Sequence, residues 1–457
     1  MPPENPRASP LSAQYRAVTI GLITLITLVA FEALAVATAM PVAARSLGGL
    51  RFYGLAFSLF LTTSLLGIVV GGGWCDRMGA RAPLMASLVL FAGGLLLSGS
   101  AHSFGMMLVG RAISGAGGGL EIVALFVVIA MVYPEGLQPR VFAAVSAAWV
   151  LPSVIGPPVA GFLAQQVSWR AVFLAVPPLV LVPPLTLWRR LARPDAGVVD
   201  AGAVDVGGLV GLTMRGLALA TGAGLLQWGL QGGRPWPDLA AVGAGLVLVA
   251  VTLPRLLPAG TLRAARGMPS LVVVRALLTS TYFGTETFVP LMLIEERRLS
   301  PTMAGLTLTA GAVGWAAGSW LQGRPGLPAG RITLLAAGGF VVALSALLLV
   351  PVALAGVPVW MVPPVWALGG LGMGLGMSST SVLTLRLSEP GEEGRNSSGL
   401  QIGDALGSVI GIGVAGAVFA ALHDPGGNDA AVFALIWGGL GLLGLASGAV
   451  ALRVRTT

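Results

Sequence analysis

The chain contains no lysine. All 26 of its basic residues are arginine, so its formal charge of +8 rests on side chains that stay ionised at any working pH. Charge of either sign is scarce: 10% of the 457 residues are Asp, Glu, Lys or Arg, against roughly 25% in a soluble domain. A chain this poor in charge cannot cover itself with polar surface in water. The single cysteine, Cys75, excludes an intrachain disulfide, and His102 and His423 stand alone, so no metal-ligand cluster is expected. No Gly-x-x-x-x-Gly-Lys-Ser/Thr sequence occurs, so ATP is not the expected energy source. Alternating ten-residue strands, the signature of a membrane barrel, are also missing.

What is abundant is apolar and small. Hydrophobic residues make up 55% of the chain, glycine occurs 67 times, and the mean hydropathy is +0.88. Long stretches with few charges recur from Val18 to Leu452, each near the roughly 20 residues that cross a hydrocarbon core. Helices are the natural spanning element, because each satisfies its own backbone amides without water. Reading apolar runs between turn signals places fourteen spans at about 17–44, 54–74, 83–101, 105–132, 140–165, 170–188, 208–228, 239–257, 270–294, 302–322, 331–351, 358–385, 397–422 and 430–452. The Pro-rich stretch before them, within 1–16, is expected to be a disordered tail rather than a cleavable signal, since the apolar segment that follows is too long and contains Glu32.

The arginines orient the chain. With the N-terminus cytoplasmic, the inside segments hold Arg7, Arg16, Arg77, Arg81, Arg140, Arg189, Arg190, Arg193, Arg255, Arg263, Arg266, Arg324, Arg331, Arg386, Arg395, Arg453 and Arg455. The outside segments hold Arg45, Arg51, Arg170, Arg234, Arg297 and Arg298. This bias is what the positive-inside rule demands, and it holds with an even number of spans and both termini inside. A pI near 11.0 therefore reflects membrane topology rather than nucleic-acid binding.

An internal repeat divides the chain. Ser153 to Gly161 reads SVIGPPVAG and Ser408 to Gly416 reads SVIGIGVAG; the first lies in the fifth span, the second in the fifth of the last six. The chain parses as a six-helix bundle at 17–188, a linker at 189–207, two additional helices at 208–257, a linker at 258–269, a second six-helix bundle at 270–452 and a tail at 453–457. Both linkers read as flexible connections. Repeated helical bundles are a common way to build an alternating-access cavity.

Four motifs carry a resemblance. Gly72-Gly73-Trp74-Cys75-Asp76-Arg77-Met78-Gly79-Ala80-Arg81 resembles the cytoplasmic loop motif Gly-x-x-x-Asp-Arg-x-Gly-x-Arg of the major facilitator superfamily. The resemblance implies a latch between the two halves, built on Gly72, Asp76, Arg77, Gly79 and Arg81, that breaks when the protein opens inward; the second half, Gln322-Gly323-Arg324 to Arg331, lacks the aspartate. Arg111 to Gly117 resembles the superfamily pattern Arg-x-x-x-Gly-x-Gly, whose buried arginine is implicated in proton coupling. An arginine in hydrocarbon needs a carboxylate nearby; snorkelling to the outer interface is the alternative. Gly156, Pro157, Pro158 and Gly161 resemble the Gly-Pro-x-x-Gly-Gly motif of antiporters, with Ala160 replacing a glycine and with the prolines expected to bend the helix. Phe31-Glu32 to Met40-Pro41 is similar to a first-helix motif of the fourteen-helix drug:proton antiporters, although the polar residues usual after the acid are largely alanine here. Trp169-Arg170-Ala171-Val172-Phe173 also resembles that branch, and serves equally well as an interfacial anchor.

Besides Glu32, the acids Glu121, Glu286 and Asp404 fall inside predicted spans. Burial favours a protonated carboxyl and an approaching arginine favours an ionised one, so such groups can load and release a proton; a helix-to-helix hydrogen bond is the structural alternative for any one of them. Glu32, Arg111, Glu121, Glu286 and Asp404 are thus the proton-coupling candidates. The expected fold is an all-α membrane protein, two six-helix bundles plus two central helices. The expected function is proton-driven antiport of hydrophobic or amphipathic compounds, multidrug efflux foremost, by a monomer in a bacterial inner membrane. Its partners are a small lipophilic substrate or lipid, protons and membrane lipids; nucleic acid, metal and organic cofactor are not expected. Export of lipid or lipid-linked molecules is one rival, a transport-inactive sensor or assembly partner another. An enzyme is not expected, since no catalytic constellation stands out.

Overall fold

The computed structural model describes residues 9–134, 136–183, 206–231, 235–324, 330–354, 356–388 and 393–455. Among the described residues the regular elements are helices. In chain order they are α1 Arg16–Ser46, α2 Tyr53–Met78, α3 Arg81–Gly99, α4 Phe104–Val132, α5 Gln138–Ala147, α6 Val150–Leu163, α7 Trp169–Leu174, α8 Val176–Val180, α9 Val206–Gln231, α10 Pro235–Leu256, α11 Met268–Glu295, α12 Pro301–Gly323, α13 Arg331–Ala353, α14 Val362–Leu387, α15 Glu393–Leu422 and α16 Ala430–Ala451.

Ten helical stretches among the described residues are long and apolar enough to cross a membrane, against the fourteen expected. The difference lies in composition and in broken helices. α11 and α12 run 28 and 23 residues, lengths that match a hydrocarbon core, but they are richer in polar groups; α9 runs 26 residues, and the side chains at its start lie outside the described residues. α11 alone holds Ser270, Arg275, Thr279, Ser280, Thr281, Thr285, Glu286 and Thr287. The span expected at 170–188 is divided into α7 and α8, and its end, with most of the linker at 189–207, lies outside the described residues.

The span expected at 140–165 is also interrupted, and not at the proline pair. The helix runs through Pro157 and Pro158; the breaks fall at Ala148 and Trp149, before Pro152, and in a widened π-helical turn at Ala164–Ser168. Proline has no N–H to offer the carbonyl four residues back. Pro152 therefore strands the carbonyl of Ala148, which accepts from the Thr27 hydroxyl at 3.5 Å. Pro158 strands that of Val154, which accepts from Thr309 in the second half at 3.0 Å. Neighbouring helices re-satisfying freed carbonyls is what lets proline persist inside a membrane helix.

The repeat is visible as crossed packing. α6, carrying the first copy, packs on α1 of its own half and on α12 of the other, and α15, carrying the second, packs on α11 of its own half and on α2 of the other. Between the halves, α9 packs on α10, α2 and α15; the Gln227 amide of α9 donates to Thr62 of α2 at 3.1 Å, and Leu65, Leu219 and Leu406 form a small core joining all three elements.

Two ends of the bundle can be told apart by which loops meet. At one, which we call the terminal face, Tyr15 lies against Tyr133 with ring centres 5.2 Å apart, and Gly267 N–H reaches the Arg453 carbonyl at 3.3 Å. At the other, the distal face, Arg170 donates to the Ala101 carbonyl at 2.9 Å and the Asp429 N–H donates to Glu296 at 2.9 Å. The terminal-face segments are more ordered than their composition suggested. Within the predicted tail, Pro10 accepts from Thr19 at 2.6 Å, while residues 1–8 lie outside the described set. The linker at 258–269 is a fixed turn, Thr261–Arg263, with Thr261 buried and Ser270 donating to the carbonyls of Ala264 and Ala265. In the tail at 453–457, Val454 is fully buried.

Candidate functional site

The four acids predicted inside spans fall into three environments. Glu32 on α1 and Arg111 on α4 form a buried ion pair, each about 2–3% exposed. Arg111 also donates through Nε to the Ala56 carbonyl of α2 at 3.2 Å and lies 4.2 Å over the Phe60 ring, while Glu32 Oε2 has no hydrogen-bond partner. Arg111 therefore does not snorkel; a guanidinium in the interior is held by a carboxylate, a carbonyl and an aromatic face together.

In the second half the pairing partner is one that the sequence reading did not single out. Arg275 on α11 donates from Nε to Asp404 on α15 at 2.8 Å and from Nη1 to Thr380 on α14 at 2.6 Å. Arg275 is 7% exposed by side chain and Asp404 26%. The available signal was an arginine inside a predicted span, the same one that pointed to Arg111.

Glu121 and Glu286 have no basic partner among the described residues. Glu121 is 1% exposed with both carboxyl oxygens unpartnered, sealed within the first half. Glu286, by contrast, is partly exposed. It follows Tyr282 by one helical turn, and the Tyr282 ring stacks on Trp366 at 4.8 Å and meets Trp315 edge-on at 5.5 Å.

The antiporter-like motif sits at a seam between the halves. A Cβ on Gly161 would lie 2.5 Å from the Pro301 carbonyl oxygen, and one on Gly305 of α12 would lie 2.4 Å from that of Pro157; neither site has room for a methyl group. Gly156 instead faces Phe31 at ordinary contact distance. Further bonds cross the same seam toward the distal face. Tyr53 donates to the Thr287 carbonyl at 2.8 Å, Thr302 to Gln165 at 2.8 Å, and Arg45 meets Glu295 at 3.3 Å. The halves are thus fastened at the distal face.

The loop motif lies at the other end. Gly79 has φ +70° and ψ 174°, a conformation essentially restricted to glycine, and this is what turns α2 into α3. Gly72 lies inside α2 with open space around it, so it is not part of the turn. Arg77 is exposed and, with Trp74, lines a cleft of about 310 Å³ against Val210, Thr213 and Met214 of α9. Arg81 opens α3; the Asp76 side chain lies outside the described residues. A second cleft, about 340 Å³, separates α2 from α9 and is lined by Leu55, Leu59, Thr221, Gly224, Leu225 and Trp228.

Residues 20–363 match the Major Facilitator Superfamily. The chain belongs to that superfamily. It is 26% identical over 408 residues to the multidrug transporter protein MdtP of Bacillus subtilis strain 168, covering 87% of this chain and 74% of that one. It is 29% identical over 255 residues to the MFS-type efflux pump LUC4 of a Fusarium species, covering 54% of this chain and 44% of the pump, so it spans less than half the length of that relative. Among solved structures, a POT family transporter in complex with a thioalcohol conjugated peptide superposes with a TM-score of 0.69 at 12% identity, over 95% of both chains. At that identity the likeness concerns the fold. Family and fold together indicate a multi-pass membrane transporter, not an enzyme.

Proposed function

We propose that the protein is a proton-coupled exporter of hydrophobic or amphipathic compounds, an antiporter of the fourteen-helix drug:proton branch, working by alternating access. The observation that carries this reading is the Glu32–Arg111 pair, two opposite charges held buried in the interior of the first half. Removing two charges from water costs several kcal/mol per ion, so a chain that keeps them there has a use for their charge state. A proton reaching Glu32 neutralises it and releases Arg111; loss of the proton restores the pair.

In this reading the distal face is the outside, the terminal face with both chain ends is the cytoplasm of a bacterial inner membrane, and the fastened seam marks an inward-facing state. The loop motif around Gly79 would lock the terminal face in the opposite state. Names among its relatives, a multidrug transporter and an efflux pump, agree with multidrug efflux. The α2–α9 cleft, apolar and beside the additional helices, favours a second reading, export of lipid whose acyl chain enters from the side.

Both readings are tested by purified protein in proteoliposomes with an imposed pH gradient and a panel of lipophilic cations, neutral drugs and lipids. Uphill movement of a drug coupled to proton counterflow is the expected result. Movement of lipid alone favours the second reading, and a lack of any flux or proton movement overturns both.

A further inference from the structure

We propose that Glu286, Tyr282, Phe283 and Trp315 form a recognition site for a lipophilic monovalent cation on the second half, distinct from the Glu32–Arg111 pair. The proposal takes its route of release from the export reading; the site itself stands on its own geometry.

The four interior acids separate by what already neutralises them. Glu32 and Asp404 each face an arginine, so a cationic ligand there would have to displace a guanidinium. Glu121 is unpaired but sealed, beyond the reach of any ligand in this state. Glu286 alone of the four is both partly exposed and without a basic partner among the described residues. A carboxylate in that position is an open request for positive charge.

The surroundings say what kind of cation. Tyr282 and Phe283 precede Glu286 by four and three residues, so all three share one face of α11. Phe283 lies 6.3 Å from Trp315 and is, like Trp315, partly buried rather than sealed. Tyr282 is fixed between Trp315 and Trp366. Rings beside a carboxylate hold a cation by their quadrupoles as well as by charge, and they suit one that is large, weakly hydrated and apolar on its outside. A strongly hydrated metal ion would need oxygen ligands in number. One more acceptor points the same way: residue 290 is proline, so the Glu286 carbonyl lacks the N–H that would normally engage it.

The position fits a transported ligand. Thr287, the next residue, accepts the Tyr53 hydrogen bond that fastens the seam, so separation of the halves there would uncover Glu286 from the distal side.

The test is equilibrium binding, without a gradient, of tetraphenylphosphonium and of neutral triphenylphosphine oxide to purified full-length protein. Wild type should bind the cation about tenfold or more tightly than the neutral compound. Glu286→Gln should bring that ratio near one while leaving the neutral compound's affinity unchanged, and Trp315→Leu should weaken the cation severalfold. A wild-type ratio near one overturns the proposal without any variant, as does a ratio that survives Glu286→Gln. The site and the export reading fail separately: an intact ratio without gradient-driven flux removes export and keeps the site, whereas flux with a ratio of one removes the site and keeps export.

Discussion

Breaking the Glu32–Arg111 pair should have unequal consequences depending on which partner is lost. Glu32→Gln leaves Arg111 charged inside the bundle, because a guanidinium does not give up its proton. Its bond to the Ala56 carbonyl and its place over Phe60 remain, but the counter-charge is gone, and loss of one partner of a buried pair costs about 3–5 kcal/mol. Arg111→Met leaves Glu32, which can take up a proton and stay as a neutral acid; the residual cost is that of a poorly satisfied polar group, about 1–3 kcal/mol. The double variant removes both charges and should be destabilised by less than the sum of the two single losses, a coupling of about 2–3 kcal/mol. Unfolding in detergent followed by tryptophan fluorescence gives the stabilities, and proteoliposome flux gives the activity. The double variant should be folded and unable to pump uphill. Additive single effects would refute the pairing energetics, and uphill pumping by the double variant would refute the role of the pair.

Two further expectations concern the seam. Gly161→Ala places a methyl group 2.5 Å from the Pro301 carbonyl oxygen, and overpacking of this kind costs about 1–3 kcal/mol, so the distal face should open; spin-label distances across that face should lengthen, and an unchanged distribution would contradict the close packing. Thr309→Val removes the donor that satisfies the Val154 carbonyl freed by Pro158, which should destabilise the same closed state by about 1 kcal/mol, measured by the same distances; Pro158→Ala in the Thr309→Val background should restore closure by supplying the missing N–H.

The sequence was informative wherever a residue type is out of place in its solvent. A carboxylate at position 32 and a guanidinium at 111 have no business in hydrocarbon unless they meet, and they do. The repeat around Pro157 likewise marked the helices that cross between the halves. What stayed hidden is the matching of distant residues. Asp404 is 129 residues from Arg275, and no local pattern joins them; Trp366, at the far side of Tyr282, comes from a different helix again. Pro157 and Pro158 lie within one continuous helix, while the breaks in the expected span fall at Ala148–Trp149 and at Ala164–Ser168; the carbonyl freed by Pro158 is taken up across the seam by Thr309, a partner that no local pattern names. The turn at 258–269 reads as a linker by composition, yet Ser270 fixes it through two carbonyls, a geometry that composition does not encode.

One helix joins the two charged sites. Arg111 holds the Ala56 carbonyl; Tyr53, one turn earlier on α2, holds the Thr287 carbonyl across the seam, and Thr287 adjoins Glu286. A change of charge at Glu32 alters the pull on Arg111, which stays bonded to α2 at Ala56, and α2 carries the bond that covers Glu286 from the distal side. Adjacency alone does not demonstrate coupling, so the link must be cut without touching either site. Tyr53→Phe removes one hydroxyl and keeps the ring against Phe57 and Phe288. The variant should bind tetraphenylphosphonium as wild type does, yet respond less to Glu32→Gln, which should shift that binding when the Tyr53 hydroxyl is present; the pH dependence that Glu286 itself contributes as an acid should remain. If Glu32→Gln shifts binding equally with and without the Tyr53 hydroxyl, the two sites communicate by some other element than α2, or not at all.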